Sequence, residues 1–138
     1  MAIPPLRFGH VAFRVSDVER SVQWYRAAFG ADRVFHAPRD GERQELMFLE
    51  FARGQFIELF TGGIETTKVA AHAIGYQHFC LAVDNLEQML AHLAAMNVQP
   101  HRPPRPGRSH YTIAFVSDPD GNIIELMEIA PQSAIYRT

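Results

Sequence analysis

Residues 113–128 read IAFVSDPDGNIIELME: two runs of strand-forming residues hinged on 117-SDPDG-121. Proline presets φ and glycine accepts positive φ, so the hinge predicts a tight hairpin between strands at about 110–117 and 121–129. The second arm, 121-GNIIELM-127, has a counterpart in 54-GQFIELF-60 at a constant offset of 67 residues: Gly54 against Gly121, Ile57 against Ile124, Glu58 against Glu125, Leu59 against Leu126. Further upstream, 9-GHVAFRVSD-17 matches 77-QHFCLAVD-84, with His10 against His78 at an offset of 68. Shared strand composition would account for one such match. It does not account for a histidine and a glutamate recurring in the same order, 48 residues apart in the first copy and 47 in the second. The chain reads as a duplicated unit.

In the first copy, residues 8–15 alternate as a strand does. Ser16 or Asp17 supplies an N-cap with Glu19 in the first turn, and Val18, Val22, Tyr25 and Phe29 recur at helical spacing up to a stop at Gly30. Strands follow at about 32–37, 44–52 and 55–60. The second copy repeats the order: a strand at 76–83, a helix capped by Asp84 or Asn85 and bearing Leu86, Met89, Leu90, Leu93 and Met96, a short strand near 98–102, a Pro-rich loop, and the closing hairpin. Residues 61–75 form a linker with room for a helical turn. The expectation is an α+β fold of two tandem βαβββ modules, about 7–60 and 76–129, within a single domain over 1–138.

The 138 residues are 47% hydrophobic and 20% charged, enough for a core without disulfides, and Cys80 is the single cysteine. Net charge is −2, which leaves no basic excess to replace the counterions of a nucleic acid. No apolar run has membrane-spanning length, and MAIPPLRFGH lacks the apolar segment of a secretory signal. The expectation is a cytoplasmic protein with no nucleic-acid or membrane partner.

Strand parity organises the polar anchors. Val11, Phe13 and Val15 share one face, and His10, Ala12 and Arg14 the other; Phe79, Leu81 and Val83 oppose His78, Cys80 and Ala82 in the same way. The large apolar residues must meet the helices, so the histidines project into a cup lined by small residues. Glu58 sits between Phe56 and Phe60, and Glu125 between Ile123 and Met127. Carboxylates in such company need a partner, and a metal ion supplies one. Two imidazoles and two carboxylates suit one divalent cation among Zn, Ni, Co, Mn and Fe, and the carboxylates neutralise its charge.

The runs 8-FGHVAFRVSDVERSVQWYRAAFG-30, FIELF, GYQHFCLAVDN and 113-IAFVSDPDGNIIELME-128 resemble the vicinal oxygen chelate superfamily of glyoxalases, bleomycin resistance proteins and extradiol dioxygenases. The ligand order His10, Glu58, His78, Glu125 is most similar to bacterial glyoxalase I, the lactoylglutathione lyases. The superfamily resemblance implies that the two modules form a curved eight-stranded mixed sheet, and the glyoxalase I pattern implies a metal-dependent lyase or isomerase that carries a small 2-oxoaldehyde-derived substrate through a metal-bound enediolate. Glu125 would be the catalytic base and Glu58 its partner, and the protein would be a homodimer. It also implies substrate anchoring by Arg14 and by a basic residue before Ile113, Arg108 or Arg105. The chain departs from the glyoxalase I pattern at Gly62, where an asparagine is usual. Two alternatives share the fold: an iron-dependent extradiol-type dioxygenase, for which His10, His78 and Glu125 suffice, and a non-catalytic small-molecule binding protein of the resistance type. The other histidines, His36, His72, His92 and His101, read as solvated loop or helix residues. His110 reads as a candidate for the mouth of the site, and Cys80 as a small buried residue.

Overall fold

The computed structural model describes residues 2–65, 72–108 and 111–129. They divide into two compact units, within Met1–Glu65 and Thr66–Thr138. The first holds β1 (His10–Arg14), α1 (Val18–Phe29), β2 (Asp32–Ala37), β3 (Leu46–Ala52) and β4 (Gln55–Phe60). The second holds β5 (Phe79–Val83), α2 (Leu86–Ala95), β6 (Arg105–Pro106), β7 (Tyr111–Ser117) and β8 (Ile123–Ile129). Each unit is βαβββ, and the eight strands form two four-stranded sheets, ordered β1-β4-β3-β2 and β5-β8-β7-β6. The first and last strands of each unit pair in parallel, and the other neighbours are antiparallel, so each sheet is mixed. The duplication seen in the sequence is thus a duplication of topology.

Local chemistry explains the elements. The side chain of Asp17 accepts from the Arg20 N–H and caps α1, and Gly30 ends it in the left-handed region at φ 68°. Asn85 caps α2 through the Gln88 N–H, and Asn97 takes the left-handed position beyond it at φ 61°. In the first unit Val18, Val22 and Tyr25 of α1 are buried, as are Met47, Leu49, Ile57 and Leu59 of the sheet face. In the second unit Leu86, Leu93, Val116, Ile124 and Leu126 are buried. Burying a Leu- or Ile-sized side chain is worth roughly 1.5–3 kcal/mol, which makes these apolar rows the force that fixes strand register.

Three expectations need correction. The short strand lies at Arg105–Pro106 instead of near 98–102. Pro100, Pro103 and Pro104 lack N–H donors, and the Val98 N–H turns back to the Leu93 carbonyl at 2.9 Å, so only His101, bonded to the Phe115 carbonyl at 2.8 Å, reaches the sheet there. His36 belongs to β2 and pairs with Glu45 at 2.7 Å. Cys80 is exposed, because its face of β5 is the one turned away from the helix. The central part of the linker, 66–71, and His110 lie outside the described residues. Among the described residues no helix is long and apolar enough to cross a membrane.

Candidate metal centre

The register of the parallel strand pairs builds two matching His–Glu pairs, one in each unit. In the first unit Ala12 of β1 stands opposite Glu58 of β4, and Phe48 of β3 is the other neighbour of Glu58. In the second, Cys80 of β5 stands opposite Glu125 of β8, flanked on its other side by Phe115 of β7. Residues opposite one another share a face, and so do residues two apart along a strand. His10, two residues before Ala12, therefore projects beside Glu58, and His78 beside Glu125. The contacts follow: His10 Nε2 lies 3.0 Å from Glu58 Oε2, and His78 Nε2 lies 2.8 Å from Glu125 Oε2.

Both carboxylates are largely withdrawn from water, with side chains 13% and 11% exposed, while the imidazoles are 40% and 32% exposed. Each imidazole is also met nearly at right angles by an aromatic ring. Phe48 lies 5.0 Å from His10, and Phe115 lies 5.1 Å from His78, centroid to centroid. Neither phenylalanine has a donor atom to mark it in the sequence, but the offset of 67 that pairs Glu58 with Glu125 also pairs Phe48 with Phe115.

The donor set fits a divalent cation. Nitrogen and oxygen ligands at about 2.0–2.2 Å, set at a right angle on one ion, stand about 2.9 Å from each other, and both pairs have that spacing. Among the described residues no three such side chains converge on one point; the donors come in twos, one His–Glu pair per unit.

The surroundings of the pairs differ. His10 opens onto a groove of about 1000 Å³ whose walls include Phe8, Phe35, Phe48 and Phe56, with Arg7 and Arg53 among its lining. His78 opens onto one of about 190 Å³, lined by Gln77, His101, Arg102, Arg105, Phe115 and Ile123. Arg14 shares the Glu58 face, lies 5.8 Å over the Phe60 ring, and donates through Nη1 to the Thr61 carbonyl at 2.8 Å and to Gln44 Oε1. Gly62, at φ 77°, packs beside that Arg14–Gln44 contact. Arg105 holds its guanidinium 5.6 Å over Phe115, whereas Arg108 is exposed beyond β6 and does not line the groove. Cys80, on the same face as Glu125, has its thiol pushed up to about 12, by desolvation first and by the Glu125 charge second.

The Glyoxalase/Bleomycin resistance protein/Dioxygenase superfamily profile matches residues 7–126. The chain belongs to that superfamily. A lactoylglutathione lyase of Haemophilus influenzae is 29% identical over 124 residues, covering 86% of this chain and 90% of its own. One of Arabidopsis thaliana is 28% identical over 130 residues, covering 91% of this chain and 45% of its own; the chain spans about half the length of such plant relatives. In fold, the glyoxalase family protein from Enterococcus faecalis superposes with a TM-score of 0.77 at 22% identity, over 88% of this chain and 97% of its own.

Proposed function

We propose that His10, Glu58, His78 and Glu125 together hold one divalent cation, and that the chain is a metal-dependent lyase or isomerase of the glyoxalase I kind. Its substrate would be small and derived from a 2-oxoaldehyde. The observation that carries this reading is the same His Nε2–Glu Oε2 contact built twice on the same strand register. Either pair alone leaves a cation half-ligated. The two complete each other within one chain or between the two chains of a homodimer. Two carboxylates and two neutral imidazoles balance a dication of Zn, Ni, Co, Mn or Fe.

The cation, when bound, supplies Lewis-acid polarisation of adjacent substrate oxygens. The chain's residues supply the rest. Glu125 takes a proton from one substrate carbon at a carboxylate oxygen and returns it at the neighbouring carbon, so the isomerisation consumes no oxidant or reductant. Glu58 is its counterpart in the other half-site. Phe48, Phe56 and Phe115 keep the carboxylates in an apolar, poorly hydrated setting, which strengthens every charge interaction there. Arg14 anchors an anionic end of the substrate from the first unit. Arg108, or Arg105 from the groove beside His78, does so from the second.

Elemental analysis of protein purified without chelator or tag metal tests the reading. Wild type should carry about one metal per chain, and Glu58→Ala should lose it or hold it far more weakly, with turnover of a 2-oxoaldehyde hemithioacetal falling in step. Metal content indifferent to Glu58→Ala would replace the four-ligand site with the three-ligand arrangement of a dioxygenase. Absence of metal, with none taken up on titration, would leave a binding protein.

A further inference from the structure

We infer that Phe48 and Phe115 are positioning residues that hold the rings of His10 and His78 in their ligating orientation. The inference rests on the metal-centre reading above and adds to it the groups that aim the ligands. Each half-site crosses three strands: the glutamate on the last strand of the unit, the phenylalanine beside it on the third, and the histidine two residues before the glutamate's partner on the first, His10 opening β1 and His78 immediately preceding β5. The phenylalanine is the direct cross-strand neighbour of the glutamate in both, Phe48 against Glu58 and Phe115 against Glu125. It meets the imidazole nearly perpendicular in both, at 78° and 81°.

This geometry has a specific consequence. The χ2 torsion of a histidine is broad, so a half-exposed imidazole at the start of a strand turns easily. A perpendicular ring 5 Å away occupies the space the imidazole would sweep on turning. The surviving orientation is the one that aims Nε2 at the carboxylate. The phenylalanines are themselves held from behind: Phe35 stands 6.2 Å from Phe48, and the Arg105 guanidinium 5.6 Å over Phe115. Buttresses of different chemistry hold the same ring position, which marks that position as the shared requirement.

Cobalt(II) titration of the metal-free chain, read by visible absorption, tests this without any assay of turnover. Phe48→Leu and Phe115→Leu should each weaken Co²⁺ about ten-fold, and Phe48→Tyr and Phe115→Tyr should restore most of the affinity because they keep the ring. Phe51→Leu, a change in the α1-side aromatic cluster with Tyr25 and Phe29, should lower the melting temperature and leave Co²⁺ binding as in wild type. If a leucine variant does not fold, Phe115→Met makes the same comparison. Leucine variants that bind Co²⁺ as wild type does, while His78→Ala loses it, would overturn the positioning role and leave the metal centre standing. Wild type and His78→Ala binding alike would overturn both.

Discussion

The two units share a backbone and differ in what surrounds their ligands. The histidine, the glutamate and the phenylalanine recur at matched register, but Phe56 and Phe60 beside Glu58 become Ile123 and Met127 beside Glu125. Ala12 becomes Cys80, and Arg14 becomes Ala82. The first unit's groove is walled by aromatic rings, and the second's carries His101, Arg102 and Arg105. The positions that would hold and aim a metal ligand match between the units, and the positions that would touch a substrate differ. A symmetric ligand set in asymmetric surroundings can have asymmetric chemistry, and that is the comparison worth breaking.

The largest effect is expected at the carboxylates. If Glu125 is the base, Glu125→Gln should cost kcat on the order of a thousand-fold while Co²⁺ still binds, because the amide oxygen remains a ligand. Glu58→Gln keeps an amide oxygen ligand in the same way, so Co²⁺ should still bind, and it should cost far less turnover. Equal losses of kcat in the two variants, at equal metal occupancy, would show that both half-sites work as bases and that the asymmetry lies elsewhere.

The Ala12–Cys80 difference gives a chemical probe of the second half-site alone. Cys80 is exposed as a residue, yet partial desolvation of its sulfur first, and the Glu125 charge second, disfavour the thiolate and raise the thiol to about 12. A thiol raised in the folded state contributes stability fully present below its unfolded value near 8.5, and this is lost as pH climbs toward 12. Accordingly, iodoacetamide should alkylate the metal-free folded protein at pH 8 at least ten-fold more slowly than the urea-unfolded chain, with the folded-state rate still climbing through pH 10. A folded-state rate equal to the unfolded one would place the thiol in water, away from the carboxylate.

Much of this arrangement could be read from residue order. Alternation in 9-GHVAFRVSD-17 and its repeat assigned the ligand face, because a one-residue error would have sent Val11, Phe13 and Val15 into solvent. The stop at Gly30 followed from positive φ, and the caps were narrowed to Ser16 or Asp17 and Asp84 or Asn85, of which the fold uses Asp17 and Asn85. Three things were hidden, each for a physical reason. The Arg14–Gln44 contact spans 30 residues and depends on where β3 starts. A register shift between Arg33 and Phe35 turns Phe35 to the Phe48 side, and bulges leave no mark in a period-two pattern. The sequence pattern predicts the short strand near 98–102, because alternation alone ignores which residues can donate a hydrogen bond.

Smaller effects separate the helices. The Glu128 carboxylate accepts the Leu86 N–H at 2.7 Å, so α2 is pinned from β8 as well as capped by Asn85. Thr61 holds the matching place in the first unit and turns instead to the Glu45 carbonyl. Glu128→Gln should therefore lower the urea-unfolding free energy by about 1–2 kcal/mol, and Thr61→Val by a few tenths at most. Equal costs would mean that the strand-to-helix bond contributes nothing beyond the N-cap.

The smallest predicted change runs the other way. Ser21 of α1 is fully buried, and its hydroxyl finds no hydrogen-bond partner. Met89 stands at the matching position of α2 and is half-buried, filling with a flexible apolar chain the place where α1 carries a polar group. An unpaired buried hydroxyl is a net cost, and alanine is the better helix former, so Ser21→Ala should raise stability by about 0.5 kcal/mol. The rise should appear in the thermal melt and leave metal content unchanged, because Ser21 packs on the helix side of the sheet and His10 and Glu58 lie on the other. A fall in the melting temperature would instead mean that the hydroxyl bonds back to a carbonyl one turn earlier. The first helix would then be held internally at the point where the second relies on packing alone.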